Sequence, residues 1–230
     1  MVDIKMIDEK KAFREDYKYF LTRIRKASTI VKEIEEFTEI KLSDKIKVLA
    51  VGGEYGFIEY NLTKWTNWDI ITSDIEPILV NKYPILKSFL QMMVVDSTKL
   101  PFHDKTFDLV IFNHVIEHIP NYRKAVEELH RVLKEKGCLY LATPNLHRKL
   151  AHPKMIFTGK KNLSDSSRIA RHMGFSEKEL MNLLSDFSNI QNITKIHQLS
   201  NLKLARKIAK ALPKKIFHRY SQTNVFICRK

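Results

Sequence analysis

Apolar residues recur at three- and four-residue steps through residues 8–40, with charged residues between them. This spacing is typical of one buried face of a helix, so the pattern predicts one long helix or two shorter ones at the start of the chain. The stripe comprises Phe13, Tyr17, Phe20, Ile24, Ala27, Val31, Ile34 and Phe37.

The pattern changes after Ser43-Asp44, where short apolar runs rich in valine and isoleucine appear without polar alternation. The runs are IKVLAV (46–51), WDIITS (68–73), QMMVVD (91–96), FDLVIFN (107–113) and GCLYLAT (137–143). Such runs are typical of strands buried on both faces of a parallel sheet. Helical patterns lie between most of them, at 55–64, at 76–90 and from 121 to a stop at Gly137. The alternation predicts an open α/β sheet with helices on both faces.

Beyond Asn145 the pattern is looser. SEKELMNLLSDF (176–187) predicts a helix capped by Ser176, with Glu179 completing a capping box. NIQNITKIHQ is a candidate strand, NLKLARKIAKAL a candidate basic amphipathic helix and TNVFICRK a candidate closing strand.

Composition places the 230-residue chain among ordinary globular proteins, with 44% hydrophobic and 29% charged residues. The N-terminal residues are too polar for a secretory signal, and no apolar window is long enough to span a bilayer, so we expect a cytoplasmic location. Cys138 and Cys228 have no zinc-type spacing, which predicts free thiols.

The net charge of +14 lies in the C-terminal part of the chain. Residues 1–145 contain 22 basic and 22 acidic residues, whereas residues 146–230 contain 18 and four. This asymmetry predicts an anionic partner, which could be nucleic acid, an acidic or phosphorylated small molecule, or a membrane surface. The alternative is a solvated basic face that aids solubility.

Glycine and polar residues cluster where the predicted strands end, which is where open parallel sheets bind ligands. The first strand runs into VLAVGGEYG, and Asp74 closes the second, where a carboxylate can accept both hydroxyls of a ribose. The third and fourth end at Asp96-Ser97 and at Asn113. Glu54 would repel a pyrophosphate, and the G-x-G-x-x-G spacing is absent. The pattern therefore favours a nucleoside that carries an ammonium group.

Residues 45–145 resemble the class I S-adenosylmethionine-dependent methyltransferases. VLAVGGEYG is similar to their glycine motif and ITSDIEP to their second-strand acid. VVDSTKLPFHDKTFDLVIFNHVIEHIPN and RVLKEKGCLYLATPN are similar to their middle and fifth-strand regions. The resemblance implies a Rossmann-like, mostly parallel seven-stranded sheet in the order 3-2-1-4-5-7-6, with an antiparallel last strand that would bring Cys138 near Cys228. It implies an N-terminal helical extension (1–44) and a methyltransferase domain (45–230), with a cofactor half (45–145) and a basic substrate-side half (146–230).

The resemblance also implies S-adenosyl-L-methionine as cofactor. Asp74 would bind the ribose, Asp96 with the Ser97 backbone the adenine, and Asn113 the region of the methionine moiety. The implied cofactor-binding set is Gly52, Gly53, Glu54, Tyr55, Gly56, Asp74, Ile75, Asp96, Ser97 and Asn113.

Two positions depart from the family pattern. Ala50 replaces an acid that usually faces the methionyl ammonium, and Glu54 replaces a glycine. Two interpretations of Glu54 stay open. Its carboxylate binds the ammonium directly or through water, or it points to solvent while backbone carbonyls hold the ammonium.

The segment HVIEH places His114, Glu117 and His118 on one face of a helical turn. His114 and His118 are candidate catalytic residues, as general bases for a hydroxyl nucleophile. Alternatively, the three residues bind a divalent metal with His172 as a fourth ligand, as an E-x-x-E-H segment does in the resembling ubiquinone-pathway O-methyltransferases and small-RNA terminal 2′-O-methyltransferases. A third interpretation gives them a structural or substrate-shaping role.

The resemblance predicts an enzyme that methylates oxygen in a small-molecule, sugar or lipid-linked acceptor, which could be anionic. The alternatives are an RNA 2′-O-methyltransferase with a divalent metal, and a non-catalytic module that binds the cofactor. Residues 201–220 carry seven Lys/Arg and no acid, so they are candidates for peripheral contact with a membrane or with RNA, or for packing on the sheet. The sequence leaves the oligomeric state open.

Overall fold

A computed structural model describes residues 7–146, 174–194 and 223–230. The chain divides into two compact units, Met1–Asp96 and Ser97–Lys230. The domains predicted from the sequence, 1–44 and 45–230, stay a prediction. The proposed basic helix from residue 201 and the candidate metal ligand His172 lie outside the described residues.

The strands form one seven-stranded sheet in the order β3-β2-β1-β4-β5-β7-β6. The pairs β1–β2, β2–β3 and β4–β5 are parallel, and β7 is antiparallel to both β5 and β6. The fold class is therefore confirmed. The strands are β1 (Lys47–Val51), β2 (Asp69–Asp74), β3 (Gln91–Val94), β4 (Phe107–Asn113), β5 (Leu133–Pro144), β6 (Ser188–Asn192) and β7 (Thr223–Arg229).

The described part of the chain contains six α-helices and three short 3₁₀ turns. The helices are α1 (Glu9–Ala12), α2 (Tyr17–Phe37), α3 (Phe57–Trp65), α4 (Pro77–Asn81), α5 (Tyr122–Val132) and α6 (Glu177–Leu183). The 3₁₀ turns span Arg14–Asp16, Pro84–Ser88 and Ile116–His118. Within the described segments, no helix combines the length and hydrophobicity needed to cross a bilayer.

The N-terminal apolar stripe is part of the first unit and packs against the start of α3. The ring centroids of Phe13 and Phe20 lie 4.8 and 5.2 Å from that of Phe57, at the start of α3. Farther along α2, Ala27, Val31 and Ile34 are buried as well. The predicted helical stripe is thus confirmed as a buried face, and it brings α2 close to the turn that precedes α3.

Two predicted helices end earlier than the sequence pattern indicated. The helical pattern at 76–90 breaks after Asn81, because Pro84 disfavours a helical conformation at the residue before it. The helix from residue 121 does not reach Gly137, since it ends at Val132 and Leu133 is already extended. Leu133 is fully buried and pairs with Phe107 of β4, so burial in the sheet outweighs the helical propensity of the residues that follow.

Two local predictions in the second unit are confirmed. Ser176 caps α6: its Oγ accepts from the Glu179 N–H at 3.3 Å, and the Ser176 N–H donates to Glu179 Oε2 at 2.9 Å. Cys138 and Cys228 are free, buried thiols, with Cys228 opposite Leu139 and Cys138 opposite Arg229. Burial, with the neighbouring Cys138, raises the pKa of the Cys228 thiol.

Candidate functional site

A tight glycine turn connects β1 to α3. Gly52 and Gly56 have φ angles of 72° and 79°, a region that favours glycine. Gly53 is constrained by space instead, because a Cβ there would lie 2.0 Å from Thr72 Oγ1. The N–H groups of Gly52 and Gly53 donate to the Ser73 carbonyl at 2.7 and 2.9 Å. The turn therefore lies directly against β2.

Asp74, at the end of β2, is fixed by two backbone hydrogen bonds. Its Oδ2 accepts from the Glu54 N–H and its Oδ1 from the Glu76 N–H, both at 3.0 Å. A carboxylate oxygen has two acceptor sites, so each oxygen can still accept a hydrogen bond from a ligand. The next residue, Ile75, is 61% exposed and presents an apolar side chain beside this acid.

The side chain of Glu54 turns toward α2. Its Oε2 lies 3.0 Å from Arg23 Nη2 and also accepts from the Tyr19 hydroxyl. The Arg23 guanidinium lies over the Tyr19 ring, 4.1 Å from its centroid. Neither sequence interpretation included this ion pair, which joins residues 31 positions apart. Whether Glu54 also contacts the cofactor stays a prediction.

Tyr55 belongs to an aromatic group beside the glycine turn. Its ring meets those of Tyr19 and Tyr83 edge-on, at centroid distances of 6.0 and 5.6 Å. The ammonium group of Lys82 lies 4.9 Å from the Tyr55 ring centroid. The turn residues are therefore held from several elements of the first unit.

Sequence reasoning missed Glu59, in the first turn of α3. The residue is 3% exposed, and its Oε2 is buried without a hydrogen-bond partner among the described residues. Burial raises the pKa of Glu59 to about 7; the charges of Glu54 and Asp74 also raise it, whereas its own N–H and Arg23 lower it. A signal was available, because Glu59 occupies the buried face of α3 between Phe57 and Tyr60.

The candidate adenine-binding residues follow β3. Val94 of β3 is the register partner of Asp74, and the Val95 N–H donates to the Asp74 carbonyl at 2.9 Å. Asp96 is therefore placed two residues past the end of the paired strand, and it is exposed. Asp74 thus closes β2 and Asp96 follows β3, so both lie at the carboxyl ends of neighbouring parallel strands, as the sequence predicted.

In the second unit, Ser97 is buried and Asn113 closes β4. Asn113 Oδ1 is buried and has no hydrogen-bond partner among the described residues. His114 follows with a φ of 58°, and its N–H donates to the Ala142 carbonyl at 2.7 Å. The strained backbone of His114 fixes its position directly after the strand.

Glu117 is the centre of the HVIEH cluster. It is 3% exposed, and its Oε1 lies 3.4 Å from His114 Nδ1 and 3.9 Å from His118 Nε2. Thr143 Oγ1 donates to the other oxygen at 3.1 Å. Burial acts to raise the pKa of Glu117, but the hydrogen bond from His114, its own N–H and the charges of both imidazoles together lower it below its usual value.

The structure therefore brings together the three residues that the spacing predicted, through a 3₁₀ turn. A buried carboxylate of this kind fixes the orientation and tautomer of an imidazole beside it. Within residues 7–146, 174–194 and 223–230, no three His, Cys, Asp or Glu side chains are grouped so as to hold a metal ion.

Residues 49–141 match the family model of a methyltransferase domain. The fold is similar to that of an S-adenosylmethionine-dependent methyltransferase from Archaeoglobus fulgidus, with a TM-score of 0.61, 16% identity, and coverage of 92% of this chain and 99% of that one. Residues 49–141 are therefore similar to a methyltransferase domain, and the fold is that of the S-adenosylmethionine-dependent methyltransferases.

Two curated relatives are similar to this chain in sequence. An uncharacterised protein from Methanocaldococcus jannaschii is 38% identical over 98 residues, 43% of this chain and 40% of that protein. The demethylmenaquinone methyltransferase of Chlorobaculum tepidum is 26% identical over 164 residues, 69% of this chain and 66% of that enzyme. The aligned residues thus cover less than two thirds of either relative.

The similarity to these methyltransferases implies S-adenosylmethionine as the cofactor, and the first unit of this chain suits it. Asp74 offers carboxylate oxygens for ribose hydroxyls, and the exposed Ile75 offers an apolar surface for a base. Gly53 lets the turn lie close to β2 where a side chain would collide. These hydrogen-bond acceptors and this apolar surface fit a nucleoside with a positive charge better than they fit a phosphate, because Glu54, Glu59 and Asp74 lie at the turn.

Proposed function

We propose that this protein transfers a methyl group from S-adenosylmethionine to an oxygen atom of a small-molecule, sugar or lipid-linked acceptor. The observation that carries the cofactor part is Asp74, a buried acid fixed by two backbone N–H groups beside the glycine turn. In this proposal Asp74 binds the ribose, Ile75 with Asp96 and Ser97 receives the adenine, and the buried Asn113 Oδ1 serves the methionine moiety.

When bound, S-adenosylmethionine supplies a methyl group on a positively charged sulfur. His114 is the better of the two candidate bases. Its Nδ1 faces the buried Glu117 carboxylate, which orients the ring, and Nε2 is the atom that would accept the proton of an acceptor hydroxyl. His118 is 55% exposed and lies farther from Glu117, which suits contact with the acceptor. The name of the Chlorobaculum relative, a demethylmenaquinone methyltransferase, supports a small-molecule acceptor.

Cofactor binding is the first test. We expect S-adenosylhomocysteine to bind the wild-type protein in calorimetry, and Asp74→Asn to weaken binding by roughly tenfold or more, because hydrogen bonds to charged groups contribute about 1.5–3 kcal/mol. Asp69→Asn is the matched control, since Asp69 is exposed at the opposite end of β2. Circular dichroism confirms that both variants are folded. Failure of the wild-type protein to bind S-adenosylhomocysteine would overturn the proposal.

The acceptor is tested by transfer of a labelled methyl group into fractionated lipid, glycan and RNA pools. Label in a lipid or glycan fraction supports the proposal, and His114→Ala should lower that rate by about 10²–10⁴-fold if His114 is the base. His103→Ala, at an exposed position of the same unit, is the control. An unchanged rate in His114→Ala would remove His114 from the mechanism.

A second candidate function, RNA 2′-O-methylation, is favoured by the excess of 18 basic over four acidic residues in 146–230. It predicts label in the RNA pool and RNA binding that weakens steeply with salt. Cofactor binding without transfer to any pool would support the non-catalytic module instead.

A further inference from the structure

We propose that Glu59 is the counterion of the methionyl ammonium of S-adenosylmethionine and faces it from beneath the Gly52-Gly53 turn. In this role Glu59 replaces the acid that related methyltransferases carry at the position of Ala50. Glu59 is a positioning residue, and the inference rests on the proposed cofactor. The proposal assigns a role to a buried acid that neither the motif pattern nor the candidate base cluster uses.

The position of the carboxyl group is the first argument. Ala50 of β1 is the register partner of Thr72 of β2, so both side chains point to the same face of the sheet. The Cβ position of Gly53 lies 2.0 Å from Thr72 Oγ1 and 3.4 Å from Glu59 Oε2. Glu59 therefore brings an acid from α3 to the face on which a side chain at residue 50 would project.

The environment of Glu59 is the second argument. Its Oε2 is buried without a hydrogen-bond partner among the described residues, and an isolated buried carboxylate is costly unless it is protonated or paired. The charged groups that act on it are Glu54 in the turn, Asp74 at the end of β2 and Arg23 on α2. Three acids and one guanidinium leave an excess of negative charge, which favours a ligand cation.

The ligand cation that we assign to Glu59 is the α-ammonium of S-adenosylmethionine. Arg23 pairs with Glu54 and also acts on Glu59, so one guanidinium is shared among the acids around the turn. S-adenosylmethionine presents an α-ammonium, and the Glu59 carboxyl lies against the glycine turn, with its Oε2 3.4 Å from the Cβ position of Gly53. Water is excluded from the surroundings of Glu59, so an opposite charge in the turn would attract its carboxylate without a direct hydrogen bond.

The proposal has a pH signature. The pKa of Glu59 is about 7 in the protein without ligand, so the carboxyl is mostly protonated at pH 6 and mostly ionised at pH 8. A ligand ammonium favours the ionised form. Affinity should therefore rise with pH through 7, and binding at pH 6 should release a proton to the buffer.

Calorimetric titration of the full-length protein with S-adenosylhomocysteine tests this signature. The titrations are made at pH 6, 7 and 8 in buffers of different ionisation enthalpy. For the wild-type protein we expect about a tenfold gain in affinity from pH 6 to 8 and proton release at pH 6, since one pKa unit corresponds to tenfold in affinity. For Glu59→Gln we expect weaker binding at pH 8, by roughly tenfold or more, and no proton release.

Three controls separate charge from structure. Glu35→Gln, at an exposed position of α2, should behave as the wild type does. Glu54→Gln should keep the proton release if Glu59 is its source. Methylthioadenosine lacks the amino-acid moiety and therefore the α-ammonium, so its affinity should be nearly equal for the wild type and for Glu59→Gln. Equal losses for both ligands would instead mean that Glu59 only supports the fold, and would overturn the inference.

The outcomes distinguish this inference from the proposed function. A wild-type protein that does not bind S-adenosylhomocysteine at any pH contradicts the proposed function. A wild-type protein that binds it with no pH dependence and no proton release contradicts only the role of Glu59. The wild-type measurements need no variant, so they test the inference even if Glu59→Gln does not fold.

Discussion

Glu59 illustrates how one buried acid links stability to pH. Its pKa is about 7 in the folded protein, against 4.5 for an ordinary glutamate, because burial disfavours the charged form. Between these values the folded state holds a proton that the unfolded state has lost. Stability is therefore greatest below about pH 4.5 with respect to this group, and it decreases as pH rises through 7.

Replacing this acid should remove that dependence. We expect Glu59→Gln without ligand to become more stable than the wild type as pH rises from 5 to 8, by up to roughly 3 kcal/mol in the free energy of unfolding. Urea unfolding of both proteins at the two pH values measures the difference. A difference that does not change with pH would mean that Glu59 titrates as an ordinary exposed glutamate.

Gly53 is required for close packing rather than for an unusual backbone angle. A Cβ at this position would lie 2.0 Å from Thr72 Oγ1, so Gly53→Ala should cost about 1–3 kcal/mol of unfolding free energy. Removing the obstructing group in Gly53→Ala/Thr72→Ala should recover part of this loss. The double-mutant cycle, measured by denaturant unfolding, would contradict the argument if the two changes were simply additive.

At the scale of a secondary-structure element, Arg131 connects α5 to the segment before β4 through a network of hydrogen bonds. From the last turn of α5, its guanidinium binds both oxygens of Glu128 at 2.8 and 2.9 Å and Asp104 at 2.7 Å. It also donates to the carbonyls of Leu100 and Phe102 at 3.0 and 2.8 Å. One planar side chain thereby ties the segment before β4 to α5, both in the second unit.

A lysine cannot make this set of hydrogen bonds. We expect Arg131→Lys to destabilise the protein by about 1–3 kcal/mol despite its unchanged charge, because the fork geometry is lost. Arg123→Lys is the control, since Arg123 lies on the same helix and, among the described residues, its contact is a distant one, 5.9 Å from the Tyr122 ring centroid. Equal melting temperatures for the two variants would show that the network contributes little.

Local sequence patterns predicted most helices and strands, because burial gives a pattern of apolar residues and a helix cap gives a short residue motif. The five apolar runs match β1 to β5, and Ser176 and Glu179 form the predicted capping box. The strand order came from the resemblance, since periodicity does not specify which strands pair. The end of α5 at Val132 was missed because the competing interaction, Leu133 with Phe107, is long-range.

The sequence predicted those parts of the site that depend on local signals and missed those that depend on long-range packing. Asp74, Asp96 and the glycine turn follow strand ends, which a sequence reveals, and the HVIEH spacing alone brings His114 to Glu117. The pairing of Glu54 with Arg23 could not be read from either segment, because it depends on how α2 packs against α3. Glu59 was missed because it belongs to no strand end and no glycine motif, although its position between Phe57 and Tyr60 on the apolar face of α3 indicated burial.

At the scale of the whole molecule, charge is distributed unevenly. The first 145 residues are balanced, and the excess of positive charge follows them, with seven Lys/Arg and no acid in residues 201–220. Such a segment is attracted to anionic surfaces, and salt weakens this attraction by screening the charges. If the acceptor is lipid-linked, this charge would hold the protein near its substrate without adding to cofactor binding.

This separation of roles can be measured. Replacing Lys203, Lys207, Lys210 and Lys214 by glutamine should weaken binding to vesicles that contain anionic lipid by roughly 100-fold or more, since each lysine near such a surface contributes about 1 kcal/mol. The affinity for S-adenosylhomocysteine should stay unchanged. The matched control replaces four exposed lysines of the balanced region, Lys18, Lys32, Lys45 and Lys99, and lowers the net charge equally. If both sets weaken vesicle binding to the same extent, total charge rather than its placement governs the interaction. If only RNA binding falls in the first set, with a steep dependence on salt, the acceptor should be sought among RNAs.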